Sequence, residues 1–314
     1  MSESAAQSTM DSISSLSGKV AFITGASDGM GKATAFFLSS LGVDVVLCAR
    51  RKDLLEQYAA QIRNQFRTDP IALSLDVTKV EEINRAVEEA ARKFGMIHFV
   101  CNFAGYTAAY GMKKFRALTQ DDLMKEEVQS IWKRELALVD DIDYKGTVRV
   151  NDAIQPLMKA HGRGVILNIS AITSVYNYQH EAAYVNAKRA NEEDAAKRAK
   201  ESDTNEWGVR AYSIAPGDVY NHTTWDAYDE NEKIDALRYG VIKSETIAKT
   251  ASWLLEGTLN RKWEMQVDLE TNRVSDEGRS LPLGNGDVVV VDAKTAPRLY
   301  ALMGQEYDPF IPEK

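Results

Sequence analysis

Tyr184 and Lys188, in the run Tyr-Val-Asn-Ala-Lys, are the residues of this chain best suited to moving a proton. On a helix, positions four apart share a face, so the lysine ammonium lies near the tyrosine phenol. A free tyrosine titrates near pH 10, and a neighbouring positive charge favours its ionised form. Such a phenol can give a proton to a carbonyl oxygen as hydride arrives, or take one from an alcohol. The same spacing recurs at Tyr110 with Lys114 and at Tyr239 with Lys243, which read as surface or core pairs. Context selects Tyr184: it opens a helix, follows an apolar run ending in Asn168-Ile-Ser170, and precedes Val209 to Ile214, which leads into Ala215-Pro216-Gly217.

A second stretch is built for a phosphate. Val20 to Ile23 is an apolar run of strand length, and Thr24-Gly25-Ala-Ser27-Asp28-Gly29-Met30-Gly31 leads into a helical composition from Lys32 to Leu41. A strand, a glycine-rich turn and a helix N-terminus present unpaired amides and the positive end of a helix dipole to an anion. Glycine lets the backbone approach a pyrophosphate that a Cβ would hold off. Arg50 and Arg51 follow the second apolar run, and Ala49 stands where an NAD site places an acidic residue. Two guanidiniums there suit bidentate contact with a 2′-phosphate, so NADP(H) is expected over NAD(H). Asp28 is acidic where a further basic residue would help.

The elements that must hold these groups alternate. After the first unit come strands at Val43–Ala49, Ile71–Leu75, Ile97–Cys101 and Gly164–Ser170, with helices at Asp53–Phe66, Val80–Phe94 and Asp141–Met158 between them. A closing strand is expected at Asp287–Val291. This pattern predicts an α/β fold, a Rossmann-type doubly wound parallel β-sheet with helices on both faces, as a single domain over residues 18–314. Ligands in such sheets bind at the carboxyl ends of strands, where Gly25, Arg50, Asp76 and Asn102 fall. Residues 1–17 read as a flexible polar tail, and 112–138 and 259–286 as insertions. Residues 218–243 read as a substrate lid whose Trp225, Tyr228 and Tyr239 either line an aromatic pocket or pack the lid onto the sheet.

Taken together, Thr24-Gly25-x-x-x-Gly29-x-Gly31, Asn102-Phe103-Ala104-Gly105, Tyr184 with Lys188, and Pro216-Gly217 resemble the short-chain dehydrogenase/reductase family, over about residues 18–257. The resemblance implies a cofactor site of Thr24, Gly25, Ser27, Asp28, Gly29, Met30, Gly31, Arg50, Arg51, Asp76, Val77, Asn102, Ala104, Gly105, Tyr184, Lys188, Pro216, Gly217 and Val219. It also implies hydride transfer between a ketone or aldehyde and an alcohol, with Tyr184 as acid–base group assisted by Lys188. Two positions depart from the family pattern. The catalytic serine belongs thirteen residues before the tyrosine, where this chain has Ala171; Ser170 reaches the place through a bulge, Thr173 or Ser174 substitutes, or the role is empty. The family's helix asparagine aligns with Asp143, an acceptor that cannot donate as an amide does. An NADP(H)-dependent oxidoreductase is the first expectation. A cofactor-binding partner subunit or regulator with degraded chemistry is the alternative, with a dehydratase or epimerase behind it.

Composition narrows the classes further. A net charge of −8 at pI near 5.2 is not that of a nucleic-acid binder. No apolar run reaches membrane-spanning length. Cys48 and Cys101 lie in strand-like runs and read as buried thiols of a cytoplasmic protein. The four histidines show no metal-ligand spacing, so no metal is expected. The helix after Tyr184 carries Ala183, Ala187, Ala190, Ala195 and Ala199 as inward candidates. The family resemblance implies a homo-oligomer packed through that helix, or a hetero-oligomer with an active homologue.

Overall fold

Seven short apolar runs form the centre of the molecule. In this computed structural model the described residues are 16–106, 120–175, 182–220, 225, 230–257, 266–268, 273–275, 285–302 and 305–308. Strands β1 (Val20–Thr24), β2 (Asp44–Ala49), β3 (Ile71–Ser74), β4 (Phe99–Asn102), β5 (Gly164–Ile169) and β6 (Val209–Pro216) join a closing strand, β11 (Val288–Val291). All pair in parallel, in the order β11-β6-β5-β4-β1-β2-β3. Val20 and Phe22 face one apolar layer while Ala21 and Ile23 face the other, because successive side chains of a strand point to opposite faces. With both faces covered, the strands read as near-continuous apolar runs, which is why the sequence locates them.

One layer is formed by helices α1 (Gly29–Ser40) and α2 (Lys52–Gln65), together with α8 (Ser244–Glu256), through Leu38, Leu55, Ile62, Ile247 and Leu254. The other is formed by α3 (Val80–Phe94), α5 (Thr147–Ala160) and α6 (Ala182–Asn205). In α3, Ile83, Ala86, Val87 and Ala90 make the buried stripe, at the spacing of one helical face.

Helix α4 (Glu126–Val139) follows a helical turn at Gln120–Leu123, in the segment expected as the first insertion. It runs into a π-helical stretch, Asp140–Gly146, before α5 begins. The helix expected over Asp141–Met158 is present, but its first turns are wound wider, and Gly146 allows them to sit on Val77, where a Cβ would come within 2.6 Å of Cγ2. The inward set on α6 also differs. Ala187, Ala195 and Ala199 are buried, but Ala183 and Ala190 are half-exposed, and Lys188, Asn191 and Arg198 take buried places through polar partners.

In residues 218–243, read as a substrate lid, β7 (Val219–Tyr220) pairs in parallel with β8 (Ile242–Lys243), α7 spans Glu230–Tyr239, and Trp225 packs edge-on against Tyr220 at 5.7 Å. Within residues 259–286, read as a second insertion, there is a short antiparallel pair, β9 (Gln266–Asp268) and β10 (Arg273–Ser275). Helix α9 (Ala296–Leu302) follows β11. Tyr110, Lys114 and Tyr228 lie outside the described residues, as do 1–15 of the expected tail, 112–119 of the first expected insertion and most of the second. No helix among the described residues is long and apolar enough to cross a membrane.

Candidate active site

The glycine-rich turn is locked by packing. Gly25 has φ of +67°, and a Cβ there would meet the Phe103 carbonyl at 2.6 Å; one on Gly31 would meet the Gly25 oxygen at 2.5 Å. The end of β4 and the start of α1 thus close on the turn at contact distance. Thr24 Oγ1 accepts from the Ala104 amide at 3.1 Å, tying the tip of β1 to Asn102-Phe-Ala-Gly. Asp28 caps α1, its Oδ1 accepting from the Gly29 amide at 2.8 Å. The Met30 and Gly31 amides belong to the first helical turn, which has no intrahelical acceptor for them.

Arg51 lies across this turn. Its Nη2 donates to Ser27 Oγ at 2.9 Å and its Nε to the same oxygen at 3.2 Å, while Asp28 is 3.9 Å away. Arg50 is exposed at the same strand end. Asp76 Oδ1 accepts from the Thr78 amide and hydroxyl. Burial opposes the Asp76 charge, but those bonds, with Arg50 and Lys79, bring its carboxyl below the ordinary aspartate value. Val77 is buried beside it.

Asn102 is buried at the centre of an amide network. Its Nδ2 donates to Asn151 Oδ1 at 2.8 Å and to Asn168 Oδ1 at 3.1 Å, and Asp194 accepts from Asn151 at 2.9 Å. Arg198 then binds Asp194 at 2.8 Å and Asp152 at 2.7 Å. The network joins β4, β5, α5 and α6 under the site, with its charges paired where burial would otherwise cost several kcal/mol.

Lys188 is the buried cation of the site. Its Nζ is 3.0 Å from Asp143 Oδ2 and 5.2 Å from the centre of the Tyr184 ring. Burial alone would lower the lysine pKa; the Asp143 carboxylate and Tyr184 outweigh it, so the ammonium stays charged. Burial pushes the Asp143 carboxyl up, against the pull of Lys188 and of the Tyr106 amide, which donates to Oδ1. The Gly105 backbone lies against the pair, where a Cβ would sit 3.5 Å from Asp143 and 3.6 Å from Lys188. The π-helical stretch leaves the Asp143 carbonyl to accept from Asn191 Nδ2 and from Thr147 Oγ1, each at 2.9 Å.

Ser170 lies one residue past β5, and its hydroxyl faces α6. It contacts Glu192 Oε1, Ser174 Oγ at 2.8 Å and the Lys188 carbonyl at 3.2 Å. Ser174 Oγ reaches the same Glu192 oxygen and the Ala171 carbonyl, each at 2.6 Å. Burial raises the Glu192 carboxyl above its ordinary value, against those two hydroxyls. Ala171 is buried, and Thr173 Oγ1 is buried without a hydrogen-bond partner among the described residues. Pro216 ends β6, and Gly217 packs on Asp292, where a Cβ would meet its Cβ at 2.8 Å; Val219 begins β7.

Residue spacing did not reveal Glu192, Asn191 or Tyr106. Glu192 follows Lys188 by one helical turn on the face that carries Tyr184, the one signal in the sequence that points to it. Tyr106 also donates its hydroxyl to Glu135 of α4; burial and that contact push its phenol up to about 12.

Residues 19–232 match the family model described as short chain dehydrogenase. An uncharacterized oxidoreductase of Staphylococcus saprophyticus is 30% identical over 221 residues, 70% of this chain and 87% of that protein. An NADP-dependent 3-hydroxy acid dehydrogenase of Schizosaccharomyces pombe is 28% identical over 207 residues, 65% of this chain and 73% of the relative. Among solved structures, a 7 alpha-hydroxysteroid dehydrogenase complexed with NADH and 7-oxo glycochenodeoxycholic acid superimposes with a TM-score of 0.65, covering 88% of this chain and 94% of its own at 20% identity. At that identity the likeness speaks for the fold.

Proposed function

The chain belongs to the short-chain dehydrogenase family and is an oxidoreductase, and from that premise we propose that it interconverts a ketone or aldehyde with an alcohol using NADP(H), Tyr184 serving as acid and base. The observation that carries this reading is the buried Lys188 ammonium, held between Asp143 and the Tyr184 ring. The glycine turn fits a dinucleotide, since Cβ atoms at Gly25 and Gly31 would force apart the backbone that brings the α1 amides to it. The bound nicotinamide supplies or accepts the hydride. In the reducing direction Tyr184 gives its phenolic proton to the carbonyl oxygen as the carbon becomes the alcohol carbon. Lys188 stabilises the resulting phenolate, and Asp143 holds Lys188 in place. NADP(H) is favoured because Arg51 lies over Ser27 beside the exposed Arg50, with no carboxylate at Ala49 to hold a ribose 2′-hydroxyl. The S. pombe relative named as NADP-dependent agrees with this preference. Buried free thiols at Cys48 and Cys101 suit a reducing cytoplasm. We take the assembly to be a homo-oligomer, as is common in the family.

A second reading, a cofactor-binding partner subunit without turnover, draws on the Ser170 and Ser174 hydroxyls being turned to Glu192 beside Ala171. The two readings separate when NADPH and NADH oxidation is followed over ketones, aldehydes and quinones for wild type and Tyr184→Phe, with cofactor binding measured by fluorescence. We expect NADPH-dependent turnover that falls by a factor of roughly a hundred or more in Tyr184→Phe while binding persists. Tight binding without turnover on any carbonyl favours the partner subunit.

A further inference from the structure

Far from the site, at the amino ends of the strands, a cleft of about 200 Å³ opens between β4, β5, β6 and the end of α8. Along β1 alone, four residue steps at about 3.3 Å separate this edge from the glycine turn, so the two sites lie on opposite edges of the sheet. The floor is apolar, made by Leu16, Met96, Phe99, Val165 and Leu255. The rim is cationic: Lys19 precedes β1, Arg163 precedes β5 and Arg210 is the second residue of β6, with Glu256 as the one carboxylate among the described residues lining it. Arg210 also donates to the Leu255 carbonyl at 3.4 Å. Side chains from separate connections thus bring positive charge to one apolar hollow, on a chain whose net charge is −8.

His98 lines the same cleft, and its tautomer is set by the backbone. The Val20 amide donates to Nδ1 at 3.1 Å, so in the neutral ring Nε2 carries the proton and can donate. Burial, then the positive charges of Lys19 and Arg163 with a smaller contribution from the neighbouring His161, lower its pKa to about 4. Lys19 and Arg163, which line the same cleft, attract an anion to its Nε2–H.

We propose that this cleft binds an anionic headgroup, phosphate or carboxylate, through Lys19, Arg163 and the His98 Nε2–H, with an apolar substituent of the ligand against Leu16 and Phe99. The site is independent of the cofactor reading, and its test needs no turnover.

The probes are inorganic phosphate and octanoate, added to the full-length ¹⁵N-labelled protein at constant ionic strength with chloride as reference. With four histidines in the chain, His98→Asn assigns the His98 ring signal. We expect a saturable shift of its Nε2 resonance and a rise of its titration midpoint by roughly one unit or more. Lys19→Gln and Arg163→Gln are expected each to weaken binding about tenfold. A response to phosphate alone assigns a headgroup site; a stronger response to octanoate assigns a carboxylate with an acyl chain; both support the proposal. It is overturned if neither probe moves His98 beyond chloride, or if the shift survives unchanged in the Lys19→Gln/Arg163→Gln double variant.

Discussion

Replacing Asp143 by asparagine would preserve the side-chain shape and remove the charge that faces Lys188. Both groups are almost without solvent, at 0% and 6% side-chain exposure, so the ammonium would be left buried and unpaired. The expected cost is about 3–5 kcal/mol, read by chemical denaturation. Adding Lys188→Met to Asp143→Asn removes the stranded charge, and the double variant should recover much of the loss. A single variant as stable as wild type would show that the pair is not a mutual requirement. Glu192 has the helical spacing that puts it near Lys188, but nothing in that spacing reveals its pairing with Ser170 and Ser174. Tyr184 with Lys188 and Gly25 with Gly31 were legible because their geometry is local, a helical turn and a tight corner. The partners that adapt the site come from 22, 37 and 48 residues away, at Ser170 with Glu192, Tyr106 with Asp143 and Asn191 with Asp143, and depend on how α6 lies over β5.

The π-helical stretch between α4 and α5 belongs to the next scale. Its sequence, Asp-Asp-Ile-Asp-Tyr-Lys-Gly, is rich in weak helix formers, but that composition does not tell a widened turn from a weak α-helical one. Its definition comes from outside, through the Asn191 amide on the Asp143 carbonyl and the contact of Gly146 with Val77. Such single-turn widenings are found where function needs a displaced backbone. Asn191→Ala should leave that carbonyl with Thr147 Oγ1 as its remaining side-chain donor and cost about 0.5–1.5 kcal/mol, with Lys188 no longer held at its distance from Tyr184. Thermal unfolding measures the first effect. A fall in kcat with unchanged NADPH affinity would report the second. The strands, by contrast, were legible almost to the residue, because a strand buried on both faces is written as an apolar run whatever its neighbours are.

Over the whole molecule, acid stability should bear the mark of His98. Its folded pKa, about 4, lies below the ordinary histidine value of 6.5, so the unfolded chain binds more protons between those limits. Stability therefore falls as pH drops from about 6.5 towards 4, by roughly 1–2 kcal/mol after allowance for solvent screening of a half-exposed ring. His98→Asn, which keeps an acceptor for the Val20 amide, should flatten that part of the pH–stability curve in denaturant titrations. The order of the sheet carries a consequence for synthesis. Strand β11, which covers the flank of β6, begins at Val288, 72 residues after β6 ends at Pro216. While the chain is being made, β6 waits as an open edge until the ribosome has released that late segment, and an unpaired edge is a template for wrong partners. A stalled or shortened chain lacking β11 would therefore be a substrate for chaperones rather than a slightly smaller enzyme.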